Sequence, residues 1–252
     1  MTAILDWRLT PQARGACLEA LLALGEAGIE RRADLLGCTR LWTDGTVAVH
    51  YAPFDHVNGD AKVMLVGLTP GRRQMELACA TAVRQLSAGR SHDEAFRAVK
   101  EVASFAGSMR GNLIAMLDGI GLHSALGLPS SADLFGSRRD LPHTTSALRF
   151  PVLVNGRNYT GHAPKPLAHP TLRAGIETLL ADELRAVPAA LVVPLGMAAE
   201  SAIRHLVTRG VVDASRCAFG FPHPSGANGH RATQFAANQE GLRAAVTGWL
   251  RR

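Results

Sequence analysis

Residues 61–67, AKVMLVG, form a continuous apolar run that ends in the turn LTPG at 68–71. A strand without alternating polar residues is typical of a sheet that is covered on both faces. Further strands are predicted over 148–155, 189–196 and 216–221, with amphipathic helical stretches between them. Strands that alternate with helices indicate a parallel sheet with helices on each side. We therefore predict an α/β fold of three layers, α/β/α, with a central, mainly parallel four-stranded sheet.

Capping residues locate several helices along the chain. Thr10 followed by Pro11 suits the start of a helix, and Ser91 with Glu94 has the spacing of a capping box. The chain shows no linker and no repeat. We therefore predict a single domain over residues 1–252, with an N-terminal helical segment over about 1–44.

The composition is that of a globular protein, with 47% hydrophobic and 19% charged residues in a chain of 252. No apolar run approaches the roughly 18–20 residues of a membrane span. The N-terminal residues lack the basic and apolar regions of a signal peptide. We expect a cytoplasmic protein that does not associate with a membrane.

Basic residues outnumber acidic ones and give a net charge of +6, and only three of the 27 basic residues are lysines. Arginine binds phosphate with a planar fork of donors, so a chain of this kind suits nucleic acid. Genomic base composition also favours arginine, and the charge alone does not separate these two explanations.

Cysteines stand at positions 17, 38, 79 and 217, and none forms a C-x-x-C pair. These spacings suit neither zinc nor an iron–sulfur cluster. We predict buried thiols, no metal site and no cofactor.

Polar loops follow three of the predicted strands: GLTPG at 67–71, NGRNYTG at 155–161 and HPSGANGHR at 223–231. In open parallel sheets, ligands bind beyond the carboxyl ends of the strands. If all three strands belonged to one parallel sheet, these loops would converge. This expected convergence is the argument for a binding site.

At these loops the chain resembles the uracil-DNA glycosylase superfamily. The first signature of that superfamily, G-x-x-P-G after a buried strand, matches residues 67–71, and the second, H-P-S-x, matches 223–226. Weaker matches lie in family order at 104–122, 152–156 and 189–203. The resemblance covers roughly residues 45–250 and makes the helical stretch at about 73–100 an insertion.

The resemblance implies a monomeric, monofunctional glycosylase that flips uracil out of DNA and hydrolyses its N-glycosidic bond, leaving an abasic site. The residue His223 would stabilise the departing base anion. Asn155 would read the base edge, with Asn158 as an alternative, and Phe105 would stack on the flipped base. Other interpretations stay open: a solvent-exposed loop histidine, a turn asparagine in the N-G dipeptide, and a core aromatic.

The first signature departs from the family at Thr69, where a carboxylate or amide usually serves the attacking water. The Thr69 hydroxyl could hold a water but is a poor base; His143, Asp55 and Tyr159 are other polar candidates. The remaining residues of the first signature that are expected to contact the substrate are Gly67, Leu68, Pro70 and Gly71. Since Gly71 stands where some members carry a tyrosine that excludes thymine, discrimination against thymine stays open.

The second signature and the residues after it are expected to contact DNA. Ser225 and nearby backbone amides would bind phosphates, and the tip of the loop would enter the minor groove. The predicted DNA-binding residues are Ser225, Gly226, Ala227, Asn228, His230 and Arg231.

Two other functions remain open. The same fold could remove hypoxanthine, xanthine or a mismatched thymine. A DNA-binding relative without catalysis is also compatible with the absence of a carboxylate in the first signature, although His223 argues against it.

Overall fold

The chain is described by a computed structural model that covers residues 3–251 and divides into two compact units. The first unit comprises Met1–His56, Thr69–Ser104 and Leu148–Leu180, and the second comprises Val57–Leu68, Phe105–Ala147 and Ala181–Arg252. Residues 1, 2 and 252, which the single-domain prediction includes, lie outside the described residues. The prediction of a single domain stays a prediction.

The strands and helices are numbered in chain order. The strands are β1 Arg40–Thr43, β2 Val47–His50, β3 Val63–Gly67, β4 Pro142–Ser146, β5 Val152–Val154, β6 Arg157–Asn158 and β7 Leu191–Pro194. The helices are α1 Pro11–Glu30, α2 Arg32–Thr39, α3 Arg72–Ser87, α4 His92–Ala103, α5 Ser108–Gly119, α6 Leu122–Ala125, α7 Pro170–Gly175, α8 Ala181–Ala186, α9 Met197–Thr208 and α10 Arg231–Leu250. Within residues 3–251, none of these helices combines the length and apolar character needed to cross a membrane.

The first unit contains an antiparallel sheet in the order β1-β2-β5-β6. Its core includes Trp7, whose indole N–H donates to the carbonyl of Thr171 at 2.8 Å and whose ring stacks on Phe150. The helices α1, α3 and α4 pack together in this unit. Both predicted caps are confirmed, since Thr10 accepts from the Ala13 amide and Ser91 forms a capping box with Glu94. Within the segment predicted as helical over about 1–44, however, residues 40–43 form β1.

The second unit contains a parallel sheet in the order β4-β3-β7. Its central strand β3 is buried along its whole length, as the apolar run predicts. Alternate residues of the sheet, such as Val63, Leu65 and Val193, pack into one hydrophobic core with residues of α5 and α10. The buried aromatic residues Phe105 and Phe221 complete this core.

The prediction of one central, mainly parallel four-stranded sheet is wrong, because the strands form a three-stranded parallel sheet and a four-stranded antiparallel sheet. Residues 148–155 contribute β5 to the antiparallel sheet, where it pairs with β2. The two-residue hairpin at Asn155 and Gly156, with positive φ values of 48° and 68°, also pairs it with β6. Residues 216–221 make only one parallel bridge, between Cys217 and Val192. The parallel strand β4 was not predicted.

A buried contact between a histidine and a carboxylate links β4 to α8 in the second unit. His143 Nε2 lies 2.7 Å from Glu183 Oε2, and each side chain is 1% exposed. The amide N–H of Asn58 donates to His143 Nδ1 at 3.4 Å, which leaves the ring proton on Nε2 to be donated to the carboxylate. A polar residue at the start of a buried strand is tolerated here because its ring nitrogens have partners.

We expect Glu183→Ala to lower the free energy of unfolding by about 1–3 kcal/mol, because it leaves the buried Nε2–H of His143 without an acceptor. Urea unfolding followed by circular dichroism measures the change. Glu240→Ala, at an exposed position of α10, is the matched control and should shift stability by no more than about 0.5 kcal/mol. Equal, small changes in the two variants would contradict a structural role for the pair.

Candidate functional site

The carboxyl edge of the parallel sheet in the second unit is formed by the ends of β3, β4 and β7. The Gly67 carbonyl accepts from the Ala147 amide at 2.8 Å, and the Val66 carbonyl accepts from the Leu195 amide at 2.8 Å. One residue further, the Gly196 amide donates to the Phe221 carbonyl at 2.9 Å. These bonds tie the segment that leads to His223 to the end of β7.

His223 packs directly against the glycine that follows β7. A side-chain carbon added at Gly196 would lie 2.9 Å from His223 Cβ, so only glycine allows this approach, and its φ of 89° also favours glycine. Because β7 pairs with β3, His223 and Gly67 belong to the same edge of one sheet. The structure thus brings together parts of the two sequence signatures within the second unit.

The tautomer of His223 follows from its hydrogen bonds. The Ser225 amide donates to His223 Nδ1 at 3.2 Å, so Nδ1 is an acceptor and the proton of the neutral ring resides on Nε2. Burial lowers the pKa of His223, which favours this neutral form at neutral pH. A partly buried, neutral imidazole with a donor at Nε2 can therefore stabilise an anion without carrying a charge itself. This burial differs from the open alternative of a fully exposed loop histidine.

The loop after His223 is held by its own hydrogen bonds. Asn228 donates to the His223 carbonyl at 3.2 Å, and Arg231 donates to the Ser225 carbonyl at 2.9 Å. Asn112, from α5, donates to the Pro224 carbonyl at 2.9 Å. These contacts keep His223 in place, while Gly226, Ala227 and His230 are exposed at the tip. The DNA-binding roles of these residues stay predictions.

Phe105 lies beside Gly67 in the second unit. A side-chain carbon added at Gly67 would lie 3.5 Å from Phe105 Cε1. The Phe105 side chain is 6% exposed and belongs to the hydrophobic core, which agrees with the core interpretation left open above. Its φ of 49° is nevertheless unusual for a bulky residue, and such backbone strain is concentrated at functional sites. Base stacking by Phe105 stays a prediction.

Ser146, the last residue of β4, stands opposite Gly67 in the parallel register. Its Oγ would lie 3.4 Å from a side-chain carbon added at Gly67. The side chain is partly exposed, and within residues 3–251 its hydroxyl has no hydrogen-bond partner. Sequence reasoning missed this residue because β4 itself, PHTTS, was not predicted as a strand.

Leu68 still belongs to the second unit, whereas the other residues of the first signature, Thr69, Pro70 and Gly71, lie in the first unit. The Thr69 hydroxyl donates to the Phe150 carbonyl and accepts from the Val152 amide, both at 3.1 Å. Thr69 therefore fixes the entry into β5. Pro70 is buried, and Gly71 begins the turn into α3. The side-chain amide group of Asn158 lies beside Gly71, because its Oδ1 accepts a hydrogen bond from the backbone N–H of Arg72 at 3.0 Å.

Asn155 is exposed in the hairpin between β5 and β6. The positive φ values at Asn155 and Gly156 are those of the type I′ turn that the N-G dipeptide favours. The turn interpretation thus accounts for the backbone at this position. Base reading by Asn155, or by the runner-up Asn158, stays a prediction.

The other polar candidates for holding water already have partners. His143 contacts Glu183, and the Tyr159 hydroxyl donates to the Pro164 carbonyl. Asp55 accepts from the Tyr51 hydroxyl at 2.8 Å through Oδ2, and its Oδ1 lies 3.5 Å from Arg14 Nε in an ion pair. Among residues 3–251, no cluster of three or more His, Cys, Asp or Glu side chains could hold a metal ion. The four cysteines are free thiols; burial is confirmed for Cys79 and Cys217, whereas the prediction is wrong for Cys17 and Cys38, which are only partly buried.

Taken together, one edge of the parallel sheet in the second unit carries the imidazole of His223, the ring edge of Phe105 and, as far as residues 3–251 show, a Ser146 hydroxyl without a hydrogen-bond partner. Groups of this kind suit a reaction in which part of the substrate departs as an anion, because a hydrogen-bond donor can stabilise the charge that develops.

Comparison with known proteins gives one informative relationship. No model of a known protein family matches the chain. The chain is 41% identical over 205 residues to a protein of Bacillus subtilis (strain 168) named "Uncharacterized protein YoxB". The alignment covers 81% of this chain and 80% of the Bacillus protein. At that identity and coverage, the chain belongs to the same protein family as YoxB of Bacillus subtilis.

Proposed function

We propose that this protein is a monofunctional DNA glycosylase that flips uracil out of DNA and hydrolyses its N-glycosidic bond, leaving an abasic site. The observation that carries the proposal is the position of His223 against Gly196, at the same sheet edge as Gly67 and Phe105. Two signatures more than 150 residues apart in sequence thereby contribute to one edge of the second unit.

The proposed reaction requires stabilisation of the departing base. The bond between C1′ and the base nitrogen breaks with its electron pair on the base, and the sugar approaches an oxocarbenium ion. Negative charge then collects on uracil O2, where the Nε2 proton of His223 supplies a hydrogen bond. A preorganised donor of this kind lowers the barrier by about 3–4 kcal/mol, because it acts where charge develops.

The position of His223 suits this task for two reasons. The Ser225 amide donates to Nδ1, and this hydrogen bond favours the tautomer that carries its proton on Nε2. Hydrogen bonds from Asn228 to the His223 carbonyl and from Asn112 to the Pro224 carbonyl hold the backbone that carries the ring. Both effects reduce the reorganisation needed in the transition state.

DNA is the proposed partner. The chain carries a net charge of +6, and its basic residues are almost all arginines, which bind phosphate in bidentate geometry. The loop tip at Gly226, Ala227 and His230 is exposed and free of bulky apolar side chains. We propose that it approaches the phosphates and the minor groove, that the protein acts as a monomer and that it is cytoplasmic.

A related activity on another deaminated or mismatched base is the second candidate. At Gly71, the place where some relatives carry a tyrosine, the Asn158 amide occupies the neighbouring space. A polar amide excludes the thymine methyl less strictly than an aromatic ring does. The choice among bases is therefore part of the test.

We expect the protein to release uracil from oligonucleotides, and His223→Ala to reduce the single-turnover rate by about 100- to 1,000-fold, as loss of one anion-stabilising donor does. Oligonucleotides with uracil, hypoxanthine, xanthine or a G·T mismatch are incubated with protein, and abasic sites are cleaved with alkali. His162→Ala, at an exposed position of the first unit, is the control and should leave the rate unchanged. Binding of DNA without release of any base would support the non-catalytic alternative.

We expect the single-turnover rate to stay constant as the pH falls through about 6.5, the ordinary value for histidine, and to decline only at lower pH. Burial lowers the pKa of His223, so the neutral ring persists below that value. Protonation of Nδ1 would remove the acceptor for the Ser225 amide and disturb the ring position. A rate that declines with a midpoint above 6.5, or that rises on acidification, would contradict the neutral-donor role.

A further inference from the structure

The water that attacks the sugar needs a holder, and the first signature does not supply one. The resemblance directs attention to Thr69, but its hydroxyl donates to the Phe150 carbonyl and accepts from the Val152 amide. Its only proton and one of its lone pairs are therefore committed to the entry of β5. His143, Asp55 and Tyr159 are also bound to protein groups.

Ser146 offers what Thr69 lacks. It ends β4 at the carboxyl edge of the second unit's sheet, directly opposite Gly67. Its hydroxyl is reachable from solvent and has no hydrogen-bond partner among residues 3–251. A serine hydroxyl can donate one hydrogen bond and accept two, so it can orient a water molecule.

The buried glycine opposite Ser146 leaves a small unfilled space, named here the Gly67 gap. A side-chain carbon placed there would lie 3.4 Å from Ser146 Oγ, 3.5 Å from Phe105 Cε1 and 3.7 Å from the Thr145 carbonyl oxygen. All three are ordinary contact distances, so the gap has about the size of a methyl group and is bordered by a hydroxyl, a ring edge and a carbonyl. The φ of Gly67 is not positive, so sheet geometry does not require glycine at this position.

We propose that Ser146 positions the attacking water at the Gly67 gap and so takes over the task for which the first signature lacks a carboxylate. This inference rests on the proposed glycosylase function. The bond from C1′ to the base nitrogen breaks first, and the electron pair leaves with the base. The water oxygen then bonds to C1′, and its proton passes to the base anion. Because the oxocarbenium ion is a strong electrophile, the water needs position more than it needs a strong base.

Two substitutions would disturb the proposed attacking water from opposite sides of the Gly67 gap. Ser146→Ala removes the hydroxyl, and Gly67→Ala fills the gap without a steric clash. We expect each to reduce the single-turnover rate at saturating uracil-containing DNA by about 10- to 100-fold, as loss of positioning of a reacting group does. DNA binding, measured by fluorescence anisotropy, should stay unchanged, and Ser146→Thr should retain activity because it keeps the hydroxyl.

The controls separate water positioning from folding. Ser201→Ala, at an exposed position of α9, should behave as wild type. With methanol in the buffer, Ser146→Ala should yield a larger share of methyl glycoside over abasic site than wild type, because the water is no longer favoured by its holder. A defect of folding alone would lower both products equally and would overturn the inference.

The outcomes also separate this inference from the function on which it rests. Wild-type protein that releases no base would refute the glycosylase proposal and the water role with it. Active wild type together with fully active Ser146→Ala and Gly67→Ala would overturn the water role alone. If Ser146→Ala released a different set of bases but kept its rate on uracil, the water role would also be overturned. Such a result would show that Ser146 contacts the edge of the base.

Discussion

The parallel pairing of β3 with both of its neighbours is the constraint on which the proposed site depends. Hydrogen bonds from the Ala147 amide to Gly67 and from the Leu195 amide to Val66 extend that pairing to the last residues of the strand. The Gly196 amide then binds the Phe221 carbonyl, and His223 packs against Gly196. A loop near the C-terminus is thereby held at the edge where the first signature begins. Loss of this pairing would separate His223 from Gly67 and Phe105.

Some features of the fold could be predicted because their physical causes are local. The apolar run at 61–67 identifies β3, since a strand buried on both faces cannot carry polar side chains. The caps at Thr10 and Ser91 follow from side chains that satisfy amides at the start of a helix. The sheet arrangement could not be predicted in the same way, because it depends on partners that are distant in sequence.

Two errors in the predicted sheet have identifiable reasons. The run at 148–155 contains apolar residues like those of β3, but the N-G dipeptide at its end forms a tight hairpin that pairs β5 antiparallel with β6. The N-G dipeptide could therefore have predicted this hairpin from the sequence. In contrast, β4 carries Pro142, His143 and three hydroxyl residues, and only its partners explain its burial. The contact between His143 and Glu183 spans 40 residues and leaves no local trace in the sequence.

The difference between local causes and partners distant in sequence also applies to the residues of the candidate site. His223 could be singled out because its signature is short and contiguous, and the structure adds its tautomer and burial. Ser146 could not be singled out from the sequence, because its proposed role depends only on its position opposite Gly67 in the neighbouring strand. Thr69 shows the reverse case, in which a residue at a signature position has a hydroxyl used to hold the backbone. A short signature therefore identifies a place in the fold but not the task of each side chain in it.

The most direct measurement is a crystal structure of the protein with DNA that contains a cleavage-resistant 2′-fluorinated deoxyuridine. The proposed function predicts an extrahelical uracil at the carboxyl edge of the β4-β3-β7 sheet, with its O2 within hydrogen-bond distance of His223 Nε2. Uracil bound away from His223, or DNA bound with the uracil still stacked in the duplex, would contradict it.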